Sequence, residues 1–279
     1  MKKLFALLMT LTLIVATGCG SGSKTPDKEP IKLGTIKYLN VTETLLDSYF
    51  EKAGSRMNQT SSMRAPKHVF FDNTTSMIAA LQSGQIDELT TYACVGKYLA
   101  AQNKDCEVTT EGVPKISDSF CCAMLADKAD LKKEFDDAIL KLTADGTLKK
   151  LAKTYITDAN FNDLPAVDMV HFDGAPTIKV AVTGDLPPLD FVRADGKAAG
   201  FNTAVLSAIS QQLGKNFELV NIDSGARSTA LKSGEVDVIF WVAVPNDETV
   251  VPVDFDKPEG MIVTAPYFTD EIIHVKLKK

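Results

Sequence analysis

Two stretches of this chain, Ala80-Leu81-Gln82-Ser83-Gly84-Gln85-Ile86-Asp87 and Ala230-Leu231-Lys232-Ser233-Gly234-Glu235-Val236-Asp237, repeat one pattern. Each reads as the end of a helix, a capping glycine, and an Asp leading into a buried strand. One occurrence is a generic helix-to-strand joint. Two, in matching places of two α/β segments, argue for two related lobes.

Reading outward from the first copy, 31–36 (IKLGTI) is a short strand. Asn40-Val41-Thr42-Glu43 gives a capping-box pattern opening an amphipathic helix through Phe50. His68 to Phe71 is a strand, Thr75 to Ser83 a helix ended by Gly84, and Ile86 to Thr91 a strand. A loop rich in Gly, Pro and charge follows, then a strand from Phe120 to Leu125. Helices span Leu131 to Ala144 and Leu148 to Tyr155, split by Asp145-Gly146. Thr157 to Pro176 has no clear period and reads as a linker.

Around the second copy, a strand from Ile178 to Val182 is followed by a turn holding Pro187-Pro188. A helix from Asn202 to Leu213 is closed by Gly214, and Phe217 to Asn221 is a strand. Ser228 to Ser233 is a helix closed by Gly234, and Val236 to Trp241 a strand. Met261 to Ala265 and Ile272 to Leu277 are further strands. Strands alternating with helices predict parallel sheets covered on both faces.

The N-terminus carries a different signal. Lys2 and Lys3 precede an apolar run from Leu4 to Val15, then Ala16-Thr17-Gly18 and Cys19. This is a secretory signal with a small-residue cleavage site. It is similar to the bacterial lipoprotein type, in which the Cys after the cut is acylated, although Ala16 stands where Leu is commoner. The apolar run is shorter than the roughly 20 residues a span needs. Gly20 to Pro30, GSGSKTPDKEP, is too polar to bury a core and reads as a leash. The expectation is an extracytoplasmic protein, lipid-anchored through Cys19 to the outer face of the cell membrane or on its periplasmic side.

Hydrophobic content of 45% describes a soluble globular body. The net charge of −6, with no dense basic run, argues against nucleic acid as a partner. Beyond Cys19, the cysteines are Cys94, Cys106, Cys121 and Cys122. Export permits disulfides, and one disulfide plus buried thiols is the favoured reading, with pairing open. No paired C-x-x-C exists, and His68, His171 and His274 are scattered, so no metal site is expected.

The chain resembles the extracellular solute-binding proteins of ABC importers, family 3, which mostly bind polar amino acids. The segment IKVAVTGDLPPLDFVRADGKAAGFN, with ALKSGEVDVI and APYFTDEIIHVKL, looks like that family's opening half. The segment IKLGTI, with ALQSGQIDELTTYACVGKYL, FCCAML and LKLTADGTLKKLAKTYI, looks like its closing half. The specific strings are PP-x-x-F…DGK-x-x-GF and L-x-x-DGTLKKL. The resemblance implies an α/β, two-lobed, periplasmic-binding-protein-like type II fold. Its halves come in reversed order, here 178–279 and 31–156. Circular permutation accounts for this, since exposed loops and neighbouring ends tolerate it. Fusion of two incomplete copies is the rival, and the complementarity of the halves favours permutation.

On that basis one lobe is 31–119 plus 270–279, the other is 120–269 with the linker 157–176. The hinge crosses near Ser119-Phe120 and Phe268-Thr269. Two-lobed receptors bind solute between lobes, and α/β sheets offer strand ends and helix N-termini there. That selects Asp185, Leu186, Phe191, Trp241, Val242, Ala243 and Val244 on one side. Tyr38, Leu39, Asn40, Thr42, Thr91 and Tyr92 face them. The family's amino-acid contacts are missing. No Arg follows Trp241-Val242-Ala243-Val244-Pro245, no acid stands near Tyr92, and Tyr38-Leu39-Asn40 replaces Gly-Thr-Thr at the helix mouth. The ligand is therefore expected to be more apolar or ring-bearing than a zwitterionic amino acid, with Trp241 and Tyr92 as stacking faces. Trp241 packing the lobe core is the competing reading.

The expected function is the substrate-binding lipoprotein of an ABC importer, a monomer with a small solute and a permease as partners. A ligand-sensing or accessory lipoprotein of the same fold is the alternative. No Ser/His/Asp set or activated Cys supports an enzyme, and no cofactor is expected.

Overall fold

Two sheets of the same internal order are built by exchanging one strand each. The computed structural model describes residues 30–42, 44–46, 48, 66–111, 113, 115–246 and 254–279. The signal, Cys19, the leash up to residue 29 and part of the helix expected through Phe50 lie outside them. Within that helix, 44–46 and 48 are helical.

The first segment runs β1 (Lys32–Ile36), β2 (Lys67–Phe71), α1 (Thr74–Gln82), β3 (Glu88–Tyr92), α2 (Ala93–Gln102), β4 (Cys106–Thr109) and β5 (Ser117–Leu125). Then come α3 (Ala129–Ala144) and α4 (Thr147–Ala152). The second segment runs β6 (Thr177–Val182), a small hairpin β7 (Asp185–Leu186), β8 (Asp190–Val192) and β9 (Ala198–Ala199), then α5 (Phe201–Leu213) and β10 (Asn216–Asn221). It ends with α6 (Arg227–Ser233), β11 (Val238–Pro245), β12 (Met261–Val263) and β13 (Phe268–Leu277). No helix among the described residues is long and apolar enough to cross a membrane.

In one lobe the order is β2-β1-β3-β13, with β4 also on β13; in the other it is β10-β6-β11-β5, with β12 also on β5. The inserted strands β13 and β5 run antiparallel to their neighbours β3 and β11. Each comes from the other segment of the chain, so each sheet is completed by its counterpart. The two exchanged strands pair with each other as they cross, Phe268 opposite Phe120 and Thr269 opposite Ser119.

The repeated octapeptides do the same work in both lobes. Gly84 and Gly234 take φ of 74° and 76°, a left-handed conformation that glycine adopts without a Cβ penalty. That turn lets the N–H of Gln85 and of Glu235 bond the carbonyls of Ala80 and Ala230 at 2.9 and 3.0 Å. The Asp then brackets the first strand. Asp87 accepts from Lys32 N–H at 2.7 Å while its own N–H bonds the Lys32 carbonyl at 2.9 Å. Asp237 does the same to Lys179, at 3.0 and 2.9 Å. The motif ties a helix end to an inner strand of the sheet twice.

Helix α3 buries Phe135, Ala138, Ile139 and Leu142, an i, i+3, i+4, i+7 stripe. The Phe135 ring stacks on Phe217 of β10 at 5.6 Å. Helix α2 and strand β4 fall in what the sequence reads as loop. Gly96 weakens the helical pattern there, and its reason is tertiary. A Cβ on Gly96 would sit 2.3 Å from Ile273 Cδ1, so the glycine lets α2 press onto β13. The disulfide expectation is corrected. Cys94, Cys106, Cys121 and Cys122 are all free and buried, and burial pushes each thiol up. Cys121 and Cys122 are neighbours on β5, where alternate side chains point to opposite faces.

Candidate functional site

Where the lobes meet, β1, β3, β5, β11 and the N-terminal turn of α6 converge on a cavity of about 80 Å³. Its lining includes Tyr38, Thr91 and Tyr92 from one lobe and Leu186, Trp241, Val242 and Ala243 from the other. With Leu39, also in the lining, eight sequence-selected residues are brought together. Asn40, Thr42, Asp185 and Phe191 are not in the lining.

Two of those four hold the lobes against each other. Asp185 accepts from the N–H and Oγ1 of Thr75 at the start of α1, at 3.0 and 3.3 Å. The Asn40 N–H donates to Asp256 at 2.8 Å. Thr42 turns inward to its own helix, accepting from Leu45 N–H at 3.4 Å. Phe191 packs in the hairpin against the core.

The rings expected to stack on a ligand pack edge-on against each other. Tyr92 and Trp241 lie 5.8 Å apart at 85°, and each meets Phe120 of the exchanged strand, at 4.6 and 5.8 Å. Trp241 thus joins the core and lines the cavity at once. It sits at a register shift in the β5–β11 pairing and takes φ of 74°. A bulky residue at positive φ is a strained position that the surrounding contacts must hold.

Sequence reasoning missed four charged groups of the cavity: Lys37 and the buried Asp118, Arg227 and Asp256. Arg227 is 3% exposed. Its Nη1 donates to the Trp241 carbonyl at 2.9 Å, and its guanidinium lies 5.4 Å from the Trp241 ring centre. Burial lowers its affinity for a proton below the usual arginine value, and Asp190 and Asp256 oppose that. Asp118 accepts from the Tyr92 hydroxyl at 2.7 Å. Burial raises its carboxyl above the ordinary range, and the Tyr92 bond offsets that in part. An acid does stand beside Tyr92; it arrives from β5.

Asp256 is the most enclosed of these acids. Its Oδ1 accepts from the N–H groups of Asn40 and Val41 at 2.8 and 3.3 Å, and its Oδ2 from Leu39 N–H at 3.1 Å. Burial pushes its pKa up to about 6, against these bonds and Arg227, which pull it down. Two donors in the same region have no partner among the described residues: Arg227 Nε and Trp241 Nε1. Buried N–H groups without partners are uncommon, and each marks a place where a polar atom is wanted.

The Asp256 shift carries a pH prediction. A carboxyl raised from 3.8 to about 6 favours the folded state in its protonated form. Its contribution is complete at low pH and is lost as pH rises through about 6, amounting to about 3 kcal/mol. Urea denaturation from pH 4 to pH 7 is expected to show this decline in wild type and a flatter profile in Asp256→Asn. Equal slopes would remove Asp256 as its source.

Two α/β lobes that exchange strands and close on a shared, partly polar cavity define a two-lobed, periplasmic-binding-protein-like protein of type II. Residues 178–271 match the bacterial extracellular solute-binding proteins, family 3. It is 30% identical over 102 residues to a probable histidine-binding protein of Campylobacter jejuni. That match takes in 37% of this chain, and the chain spans 36% of the relative's length. Among solved structures, it is similar to the GluR0 ligand-binding core of Nostoc punctiforme in complex with L-glutamate. That likeness has 8% identity, a TM-score of 0.38, and covers 90% of this chain and 86% of the other. It is also similar to a putative L-cystine ABC transporter protein of Listeria monocytogenes, at 11% identity and a TM-score of 0.39, covering 90% and 83%.

Proposed function

We propose that this chain captures a small solute between its lobes and delivers it to an ABC permease, held at the outer face of the membrane by a lipid on Cys19. The observation that carries the solute reading is the pair of buried donors without a partner among the described residues, Arg227 Nε and Trp241 Nε1, at a cavity lined by both lobes. A bound solute that supplies acceptor atoms there removes the cost of leaving them unpaired. Asp118 offers an acceptor in the same lining, and Tyr38 and Tyr92 offer ring surface. A compact, planar solute with both donor and acceptor edges matches this set better than an extended one. At about 80 Å³, the cavity is below the usual range for small-molecule pockets, so the lobes must part for most solutes to enter.

On this reading the protein acts by binding, not catalysis, as a monomer. The lobes are 31–119 with 270–279, and 120–269. The matched order of the two sheets, each with one strand from the other segment, supports a circularly permuted chain over a fusion of incomplete copies. The leash from Cys19 then enters the lobe that stands second in unpermuted relatives.

The test is mass spectrometry of whatever co-purifies with the chain, followed by calorimetry with the identified solute. Histidine, after the curated relative's name, is the first added probe. The expected result is one-to-one binding that is lost in Trp241→Ala. Absence of any binding solute among co-purified and added compounds would overturn the reading.

A further inference from the structure

The three buried charged groups of the cavity do not play equal parts. Asp118 faces inward with one bond, from the Tyr92 hydroxyl. Among the described residues, Arg227 Nε has no partner. Asp256 alone is saturated, with three consecutive backbone N–H groups, of Leu39, Asn40 and Val41, converging on its two oxygens. Successive N–H groups that point at one spot form a cradle for an anion. Here the anion belongs to the same chain. It reaches across the lobe boundary from a segment more than 200 residues further on, since the Leu39 bond spans 217 residues.

Charge around the cavity points the same way. Asp118 and Asp256 stand against one buried guanidinium, Arg227. Lys37, also in the lining, is 45% exposed and pairs with Asp72 at 2.8 Å. With the cradle filled and the buried acids outnumbering the buried base, a carboxylate brought by a solute would find the backbone cradle taken and would meet Arg227 in a net negative field. Neutral acceptors, such as a carbonyl or ring nitrogen, can still satisfy Arg227 Nε and Trp241 Nε1. A protonated amine can meet Asp118.

We propose that Asp256 is a specificity-determining residue, an internal carboxylate that occupies the anion seat at 39–41, so that the cleft selects neutral or cationic solutes lacking a carboxylate. The inference rests on the solute reading for its ligand class, but the seat itself can be tested without any solute.

The first experiment is chemical rescue. Asp256→Ala removes the side chain and leaves the cradle open. Millimolar acetate or formate is expected to raise the thermal midpoint of this variant by at least about 3 °C, saturably. Chloride at equal ionic strength should not, and wild type should respond to none of the three. No acetate-specific gain in Asp256→Ala, or an equal gain in wild type, overturns the seat. The second experiment uses wild type alone, so it survives a variant that fails to fold. Calorimetry compares histamine with L-histidine and agmatine with L-arginine, pairs differing by one carboxylate. The amine is expected to bind at least about 10-fold tighter than its carboxylated partner wherever either binds. A carboxylated member that binds tighter overturns the specificity. Binding of none of the four counts against the amine arm of the ligand class, while the acetate result decides the seat and the co-purified solute decides the solute reading.

Discussion

Gly200→Ala is expected to unfold much of the population at 37 °C, with a loss of about 4 kcal/mol and a fall in thermal midpoint of roughly 10 °C. Gly200 is the second glycine of the DGK-x-x-GF string and stands at the N-terminus of α5 with φ of 112°. L side chains rarely adopt that backbone, so alanine is strained before any contact is counted. The contact is worse. A Cβ there would lie 2.3 Å from the Leu189 carbonyl oxygen and 2.9 Å from that of Pro188. Neither is a side chain that can swing away. Both carbonyls are already in use, accepting from Asn202 N–H at 2.7 Å and Phe201 N–H at 2.9 Å. Pushing the turn aside therefore breaks the bonds that satisfy the first N–H groups of α5. The disturbance reaches the cavity through the same turn, because Leu186 lies just before it. Gly196→Ala is the control. It too has positive φ, 81°, but its Cβ would meet nothing within 4 Å, so a smaller loss is expected. Comparable losses in the two variants would show that φ alone, not the packed turn, sets the cost.

That contrast bears on what a sequence of this kind can reveal. The helix ends at Gly84, Gly214 and Gly234 are legible because capping chemistry is local: one residue type, one conformation, one spacing. The repeated octapeptide is legible for the same reason, and the paired bracketing of Lys32 and Lys179 by Asp87 and Asp237 explains why it recurs. The cavity was legible where strand ends carried it, as with Tyr92, Trp241 and Val242. Its charges were not. Asp118 belongs to a length of β5 before Phe120, where the polar run Ser117-Asp118-Ser119 hides the strand. Asp256 sits in a Pro- and Asp-rich turn that reads as solvated surface, and only the fold brings it to Leu39. Arg227 had a usable signal. Aligning the two copies sets it opposite Met77, a core residue 1% exposed, so an arginine occupies a slot its counterpart fills with an apolar side chain. A buried position that changes from Met to Arg between related lobes is a candidate site on physical grounds alone.

That slot provides the second large effect. Arg227→Met places in α6 the residue that α1 uses, keeping length and apolar stem while deleting the charge. The variant loses the bond to the Trp241 carbonyl and the contact with the Trp241 ring, which together hold a bulky residue at positive φ. It also leaves Asp256 without the cation that opposes its burial. Removing one member of a buried charge set costs about 3 kcal/mol or more. The size of the loss should depend on pH in a direction that separates these causes. Asp256 titrates at about 6 in wild type, with burial raising it and Arg227 among the influences lowering it. Without Arg227 its pKa moves higher, so the ionised form becomes costlier to bury. At pH 5 Asp256 is largely protonated in either protein, and the losses felt are the carbonyl bond, the ring contact and the attraction between Arg227 and Asp190. At pH 8 it is ionised, and the missing guanidinium is felt as well. Urea denaturation should therefore show a greater loss at pH 8 than at pH 5. Solute affinity should fall about 100-fold at neutral pH through the loss of Nε–H and its charge. An equal loss at both pH values would place the role of Arg227 in holding Trp241 alone, with Asp256 held by its three backbone bonds and indifferent to the guanidinium.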